Sequence, residues 1–257
     1  MNRSIVLMLS ATLMFASATA YCDTVIAPKQ LLEWKTSAAQ GDAGAANKLG
    51  LIYSIGQGVQ QDYVEALSWY RLAAAQGNAS AENNIGNIFS EGLAGKQDYI
   101  EAMKWYQLAA DKGDPDAQVN LAIMFKDGQG LKKDYPEALK WFRLSAAQGS
   151  ANAQVNLGWI YHDGTGVTRD YVEAMKWFQL AAAQGQEQAQ FSIGDMYEKG
   201  KGVEPNLTMA VEWYQKACKN GSQAGCLSLQ RLKAARKIEG QQPSSIPSVA
   251  PSLQPTH

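Results

Sequence analysis

The chain has 257 residues, with 23 Lys and Arg against 24 Asp and Glu, two His and three Cys. A formal charge of −1, with neither sign gathered into a run, offers no basic face for nucleic acid. Two histidines, His162 and His257, cannot supply a Ser-His-Asp set or a histidine-rich metal cluster, so no catalytic site, metal or cofactor is expected.

The first element is a targeting segment. Arg3 supplies a positive start, Ile5 to Phe15 an apolar run, and Ala18-Thr19-Ala20 an A-x-A cleavage site, so residues 1–20 read as a secretory signal peptide. That run is too short to span a bilayer and no later segment is long enough, so the mature chain should not insert stably in a membrane. Cys22 raises the alternative of a lipoprotein, but Tyr21 and Thr19 stand where a small and an aliphatic residue are wanted. Cleavage leaves 22 Lys and Arg against 24 Asp and Glu, a charge of −2, on a periplasmic or secreted protein.

From residue 28 a period takes over. Trp69, Trp105, Trp141, Trp177 and Trp213 stand 36 residues apart, which marks one small supersecondary unit, copied and stacked. Residues 28–41, with Trp34 and Ala38-Ala39-Gln40-Gly41, read as a truncated capping helix. The units then fall near 42–77, 78–113, 114–149, 150–185 and 186–221, all within a solenoid of residues 28–237.

Each unit opens with a helix A, marked by Leu49-Gly50 then Tyr53, Ile85-Gly86 then Phe89, Leu121-Ala122 then Phe125, Leu157-Gly158 then Tyr161, and Ile193-Gly194 then Tyr197. A Gly-x-Gly turn follows at Gly56, Gly128, Gly164 and Gly200, where the backbone must reverse with positive φ. No strand precedes these glycines and they recur in the array, so a phosphate loop is rejected. The second unit departs with Gly92-Leu93-Ala94-Gly95, and its turn should differ in shape.

Helix B begins with Asp62/Glu65, Asp98/Glu101, Asp134/Glu137 and Asp170/Glu173, read as capping boxes in which the Asp caps the first turn and the Glu reaches back to the cap residue. Only Asn206 remains as a cap in the last unit. Ala66 and its four counterparts allow close helix approach, and the Trp three residues on is expected to fill the space between neighbours. Burying one Trp and several aliphatics contributes on the order of 5–10 kcal/mol gross. Ordering a whole unit costs more. A single unit should therefore not fold alone, and stability must come from the interfaces.

Residues 222–237 read as a closing helix A, and the polar, Pro- and Ser-rich segment 238–257 as a disordered tail. Cys218 and Cys226, eight residues apart across a helix-turn-helix, are placed to form a disulfide; two buried free thiols are the alternative. No other Cys and no nearby His completes a zinc site.

At these residues the chain resembles the Sel-one-like repeat family, relatives of the tetratricopeptide repeats, in its Leu-Gly-x-x-Tyr, Gly-x-Gly-Val, Asp-Tyr, Ala-x-x-Trp and Ala-Ala-x-x-Gly signatures. The resemblance implies an all-α fold, a right-handed α-solenoid of about five helix-turn-helix repeats. It further implies an exported bacterial adaptor or docking surface, or an immunity protein against an antibacterial effector. Lys216-Ala217-Cys218 through Gly225-Cys226 is also similar to the Helicobacter cysteine-rich proteins, which implies a β-lactamase-like or penicillin-binding activity. The Ser-x-x-Lys that such chemistry needs does not occur in the chain.

In such solenoids helix A lines the concave face. Its positions opposite the Leu/Tyr stripe are Asn47, Leu51 and Ser54 in the first unit, Asn83, Asn87 and Ser90 in the second, and Val119, Ile123 and Lys126 in the third. Val155, Trp159 and His162 follow in the fourth, and Phe191, Asp195 and Glu198 in the fifth. They vary between units where the core positions do not, as a surface reading one protein partner would. Asn83, Asn87, Val119, Ile123, Lys126, Val155, Trp159, His162, Phe191 and Asp195 are the expected binding residues, with Trp159 foremost. The alternative is that some of them fill gaps between adjacent A helices.

Overall fold

The computed structural model describes residues 26–239, with side chains to residue 235. The signal-peptide reading, Cys22 and the tail beyond Glu239 lie outside that span. Within it every regular element is a helix. The capping helix α1 (Pro28–Ala39) is followed by five A/B pairs: α2 (Ala43–Ile55) with α3 (Tyr63–Ala74), α4 (Ala79–Glu91) with α5 (Tyr99–Asp111), α6 (Pro115–Asp127) with α7 (Tyr135–Ala147), α8 (Ala151–Asp163) with α9 (Tyr171–Ala183), and α10 (Glu187–Lys199) with α11 (Leu207–Lys219). Helix α12 (Gln223–Glu239) closes the array.

Each A helix stops at a glycine held left-handed, from φ 65° at Gly200 to 74° at Gly128, whose amide bonds the carbonyl four residues back. The second unit keeps this stop at Gly92. It differs at Gly95, where φ is 149° against about 70° at Gly58, Gly130, Gly166 and Gly202. Each B helix starts on Asp62, Asp98, Asp134, Asp170 or Asn206, whose side chains accept from first-turn amides.

The other half of the expected capping box is not made. The cap amides of Asp62, Asp98, Asp134, Asp170 and Asn206 donate instead to the carbonyls of Tyr53, Phe89, Phe125, Tyr161 and Tyr197, at 2.8–2.9 Å. Those carbonyls lie in the last turn of helix A and have no partner within their own helix. One bond therefore satisfies two orphan groups and joins A to B. The freed Glu65 and Glu101 accept from the indoles of Trp69 and Trp105, at 2.9 and 3.0 Å.

The periodic tryptophans pack at the edge of the core, Trp105 against a cluster that runs from the capping helix through helix A of its own repeat and Trp177 against one that runs from the second repeat through helix A of the fourth. Of the five only Trp141 is fully covered. The deepest aromatic is the next residue: Tyr70, Tyr106, Phe142, Phe178 and Tyr214 are all buried. Their rings lie flat on the A-helix backbone. A β-carbon added to Gly50 would come within 2.4 Å of the Tyr70 ring, and one on Gly158 within 2.5 Å of Phe178. The third repeat carries Ala122 at this position and still buries Phe142 completely.

Buried amides tie successive units together. Gln118 accepts from Gln148 at 2.9 Å and donates to the Ala110 carbonyl at 3.3 Å, so it links its own B helix to the preceding one. Gln190 does the same with Asn220 and Ala182, and Gln154 accepts from Gln184. In the second repeat a Lys112–Glu82 ion pair of 2.7 Å takes this place.

Neighbouring A helices touch (α2 with α4, α4 with α6, α8 with α10, α10 with α12), while successive B helices meet less. Closer approach along the A helices than along the B helices is what a stack curved with its A helices inside requires. At the C-terminal end Cys218 and Cys226 are joined with their Cα atoms 4.5 Å apart, the first of the two readings of that pair. Arg231 of α12 meets Glu198 of α10 at 2.7 Å, so the closing helix uses up a polar group of the last repeat.

Candidate docking surface

The inner-face positions fall in three rows along the A helices. The first, Asn47, Asn83, Val119, Val155 and Phe191, sits where adjacent A helices press together. Asn83, Val119 and Val155 are only 8, 6 and 7% exposed. These three fill the gap between units and present little to a partner. Asn120 of α6 donates to Asn83 at 2.9 Å and Asn87 at 3.2 Å, bridging the second and third repeats. Phe191 is half-buried against Tyr214, with ring centroids 5.5 Å apart.

The third row meets the core aromatics from inside. Tyr70 shares a hydrogen bond with Ser54 at 3.3 Å, Tyr106 bonds Ser90 at 3.0 Å and Asn87 at 2.8 Å, and Tyr214 donates to Glu198 at 2.7 Å. Burial pushes the Tyr106 phenol up to about 12. It also raises the Tyr70 and Tyr214 phenols, the latter helped by the Glu198 carboxylate. In the third and fourth repeats the ring is Phe142 or Phe178, which has no hydroxyl to give. Lys126 and His162, at the equivalent inner positions, are therefore not tied to the core and make other contacts. Lys126 pairs with Asp127 at 3.3 Å.

The middle row reads Leu51, Asn87, Ile123, Trp159 and Asp195, with Leu51 exposed and Ile123 partly buried. Trp159 is 37% exposed. Its indole packs edge-on against Phe178 and His162, each with centroids 5.3 Å away. Beside it lies an open hollow of about 160 Å³ between α6 and α8, bordered by Lys126, Lys133, Tyr135, Asn156 and Asp163. The volume suits one inserted side chain and is too small for a cofactor-sized ligand.

His162 joins this patch to the fifth repeat. Its Nδ1 lies 2.6 Å from Asp163 and its Nε2 3.1 Å from the Lys201 ammonium. Asp195 pairs with Lys199 and also faces Lys201 at 3.6 Å. Among the described residues no group of three or more His, Cys, Asp or Glu is placed to hold a metal ion, and no helix is long and apolar enough to cross a membrane.

Of the sequence-predicted set, Lys126 and Trp159 border one hollow and His162 packs on Trp159, while Ile123 is partly buried against the core cluster. It places Asn83, Val119 and Val155 inside the joints. Sequence reasoning missed Lys133, Tyr135 and Lys201, which belong to turns and a helix start, and Asn156, which lies within α8 outside the inner rows. The signal was in the period: the residue after each Trp reads Tyr, Tyr, Phe, Phe, Tyr. The B helices present a rival exposed row in Ile100, Leu108, Leu144 and Leu180.

The Sel1 repeat model matches residues 43–78, 79–114, 115–150, 151–186 and 187–222. No curated protein matches the chain. Among solved structures it is similar to a protective antigen present in uropathogenic Escherichia coli strains and displaying an SLR fold, at 40% identity and a TM-score of 0.75. That match covers 80% of this chain and 44% of the antigen, so the chain spans less than half the antigen's length. A Sel1 repeat protein from Oxalobacter formigenes is 30% identical with a TM-score of 0.68, over 81% of this chain and 83% of that one. An immunity protein from Pseudomonas aeruginosa, at 18% identity and a TM-score of 0.54 over 84% of this chain and 83% of its own, shares the fold alone.

Proposed function

The chain belongs to the Sel1 repeat family, and from that premise we propose that it is an exported, non-catalytic protein-binding module whose partner docks on the A helices of the third and fourth repeats. One observation carries the reading. Only in these two repeats is the core tyrosine replaced by phenylalanine, so Lys126 and His162 lack the tether that holds Ser54, Ser90 and Glu198, and both stand beside the exposed Trp159. A half-exposed Trp beside a side-chain-sized hollow and ringed by polar groups has the anatomy of a binding hot spot. The partner is a protein; neither nucleic acid nor stable membrane insertion fits the charge or the helix lengths.

Affinity capture from envelope extracts tests this, with wild type, Trp159→Ala and an outer-face control, Ile100→Ala. Loss of the captured protein with Trp159→Ala alone supports the docking face. Equal capture by all three folded proteins sinks it. A narrower reading, an inhibitor that occludes a secreted antibacterial effector in the periplasm, draws on the shape shared with the Pseudomonas aeruginosa immunity protein. An effector gene lying directly alongside would favour that reading over a general adaptor.

A further inference from the structure

His162 stands at the seam between this face and the last repeat, with its side chain only 12% exposed. The Lys201 ammonium, 3.1 Å from Nε2, has protons to give and no lone pair to offer. Nε2 must therefore be the acceptor. The ring's single proton then resides on Nδ1 and is donated to Asp163 at 2.6 Å. In this state the imidazole is a strut: it ties the turn that follows α10 to helix α8, 39 residues earlier in the chain.

We propose that protonation of His162 at Nε2 releases Lys201, loosens the turn of the fifth repeat from the fourth, and resets Trp159 on the docking face. The consequence for docking rests on the function proposed above; the switch itself does not. A proton taken from solvent onto Nε2 turns the acceptor into a donor and sets two cations face to face. The Asp163 carboxylate keeps its bond and holds the imidazolium, so Lys201 is the group that leaves.

Lys201 has somewhere to go, since Asp195 of α10 already lies 3.6 Å away and Lys199 is that carboxylate's other partner. From α9, Tyr171 faces the imidazole at 5.2 Å, and the turn before that helix brings Arg169 over the Tyr171 ring. Lys126 and Lys133 border the hollow that Asp163 shares with Trp159. The Trp159 ring packs edge-on against the imidazole at 5.3 Å, so a shift of His162 is felt at the docking face. Imidazole is the side chain whose charge change ordinarily falls between about pH 8 and about pH 5, so that interval is the one to compare.

Amide hydrogen exchange, corrected for intrinsic rates and followed on a peptide spanning residues 199–206, tests the switch in the free protein. That peptide holds the Lys201 amide, bonded to the Met196 carbonyl. Wild type should lose protection there by about tenfold from about pH 8 to about pH 5, the scale of one charge-assisted hydrogen bond. His162→Gln, which keeps an acceptor and cannot take the proton, should show no pH step. Lys201→Met should be loosened at both values. An equal step in wild type and His162→Gln, or none in wild type, overturns the proposal, as does a ring 15N spectrum that puts the neutral proton on Nε2. None of these readouts needs a partner, so the switch and the docking reading stand or fall separately.

Discussion

Removing the terminal disulfide should loosen one end of the array and leave the other as it was. In a Cys218→Ser/Cys226→Ser protein the loop closed by a sequence separation of 8 is opened. By the chain-entropy relation such a loop is worth about 2.5 kcal/mol at 25 °C. What still holds α12 is modest. Leu229 and Leu232 pack near Ala210 and Tyr214, and the Arg231–Glu198 pair has an arginine 59% exposed to water. A pair so exposed contributes only about 0–1 kcal/mol.

Because among the described residues α12 has neighbours on one side only, the loss cannot be shared along the stack. A change of about 2.5 kcal/mol is roughly a 70-fold rise in the local opening constant. Hydrogen exchange by mass spectrometry on the oxidised wild type and the double variant would read it directly. Peptides from residues 223–235 should exchange faster by that order, while α2 to α7 keep wild-type rates. Acceleration spread evenly over all repeats would refute the nearest-neighbour reasoning, and an unchanged α12 would refute the assignment of the staple.

Gly158→Val should destabilise the protein by about 2–3 kcal/mol in denaturant unfolding. Overpacking the fully buried Phe178 ring outweighs a gain in helix propensity of only about half a kcal/mol; a neutral result would mean the ring has room to move. Asp134→Ala should cost about 1 kcal/mol by removing the cap bond to the Glu137 amide, and a circular-dichroism melt checks it. The Tyr106 phenol is raised from 10.0 to about 12 by its burial. The stability linked to that rise is complete below pH 10 and is lost as the pH climbs from 10 towards 12, where the unfolded chain ionises first. Unfolding midpoints across that window should fall less steeply for Tyr106→Phe than for wild type.

How far the fold could be read from residues depended on whether a signal repeated. The 36-residue period placed helices, turns and caps, because each glycine stop and each Asp start had copies to confirm it. The period also marked the Trp as a packing residue, but it did not reveal that Tyr70, Phe142 and their equivalents lie deeper. Depth depends on the flat approach of a ring to Gly50 or Gly158, which spacing alone does not report. The Glu of each presumed capping box went elsewhere because a carbonyl of the preceding helix, invisible in a one-dimensional pattern, reached the cap amide first.

The candidate site was legible in outline for the same reason. A helical wheel names every residue on the inner side, yet it cannot separate Val119 and Val155, pressed between neighbouring A helices, from Trp159, left half open. Curvature decides that, and curvature is a property of the stack. Lys201 was out of reach altogether, since it arrives at His162 from a turn 39 residues on.

The claim that matters most is that the partner lies along the inner A helices of the third and fourth repeats and not along the exposed aliphatic row of the B helices. A photo-crosslinking residue introduced singly at Lys126 and Asp163, and for comparison at Ile100 and Leu108, tests it in cells exporting the protein. The account predicts one discrete adduct from the first pair of positions and none from the second. Adducts formed only from Ile100 and Leu108 would contradict it.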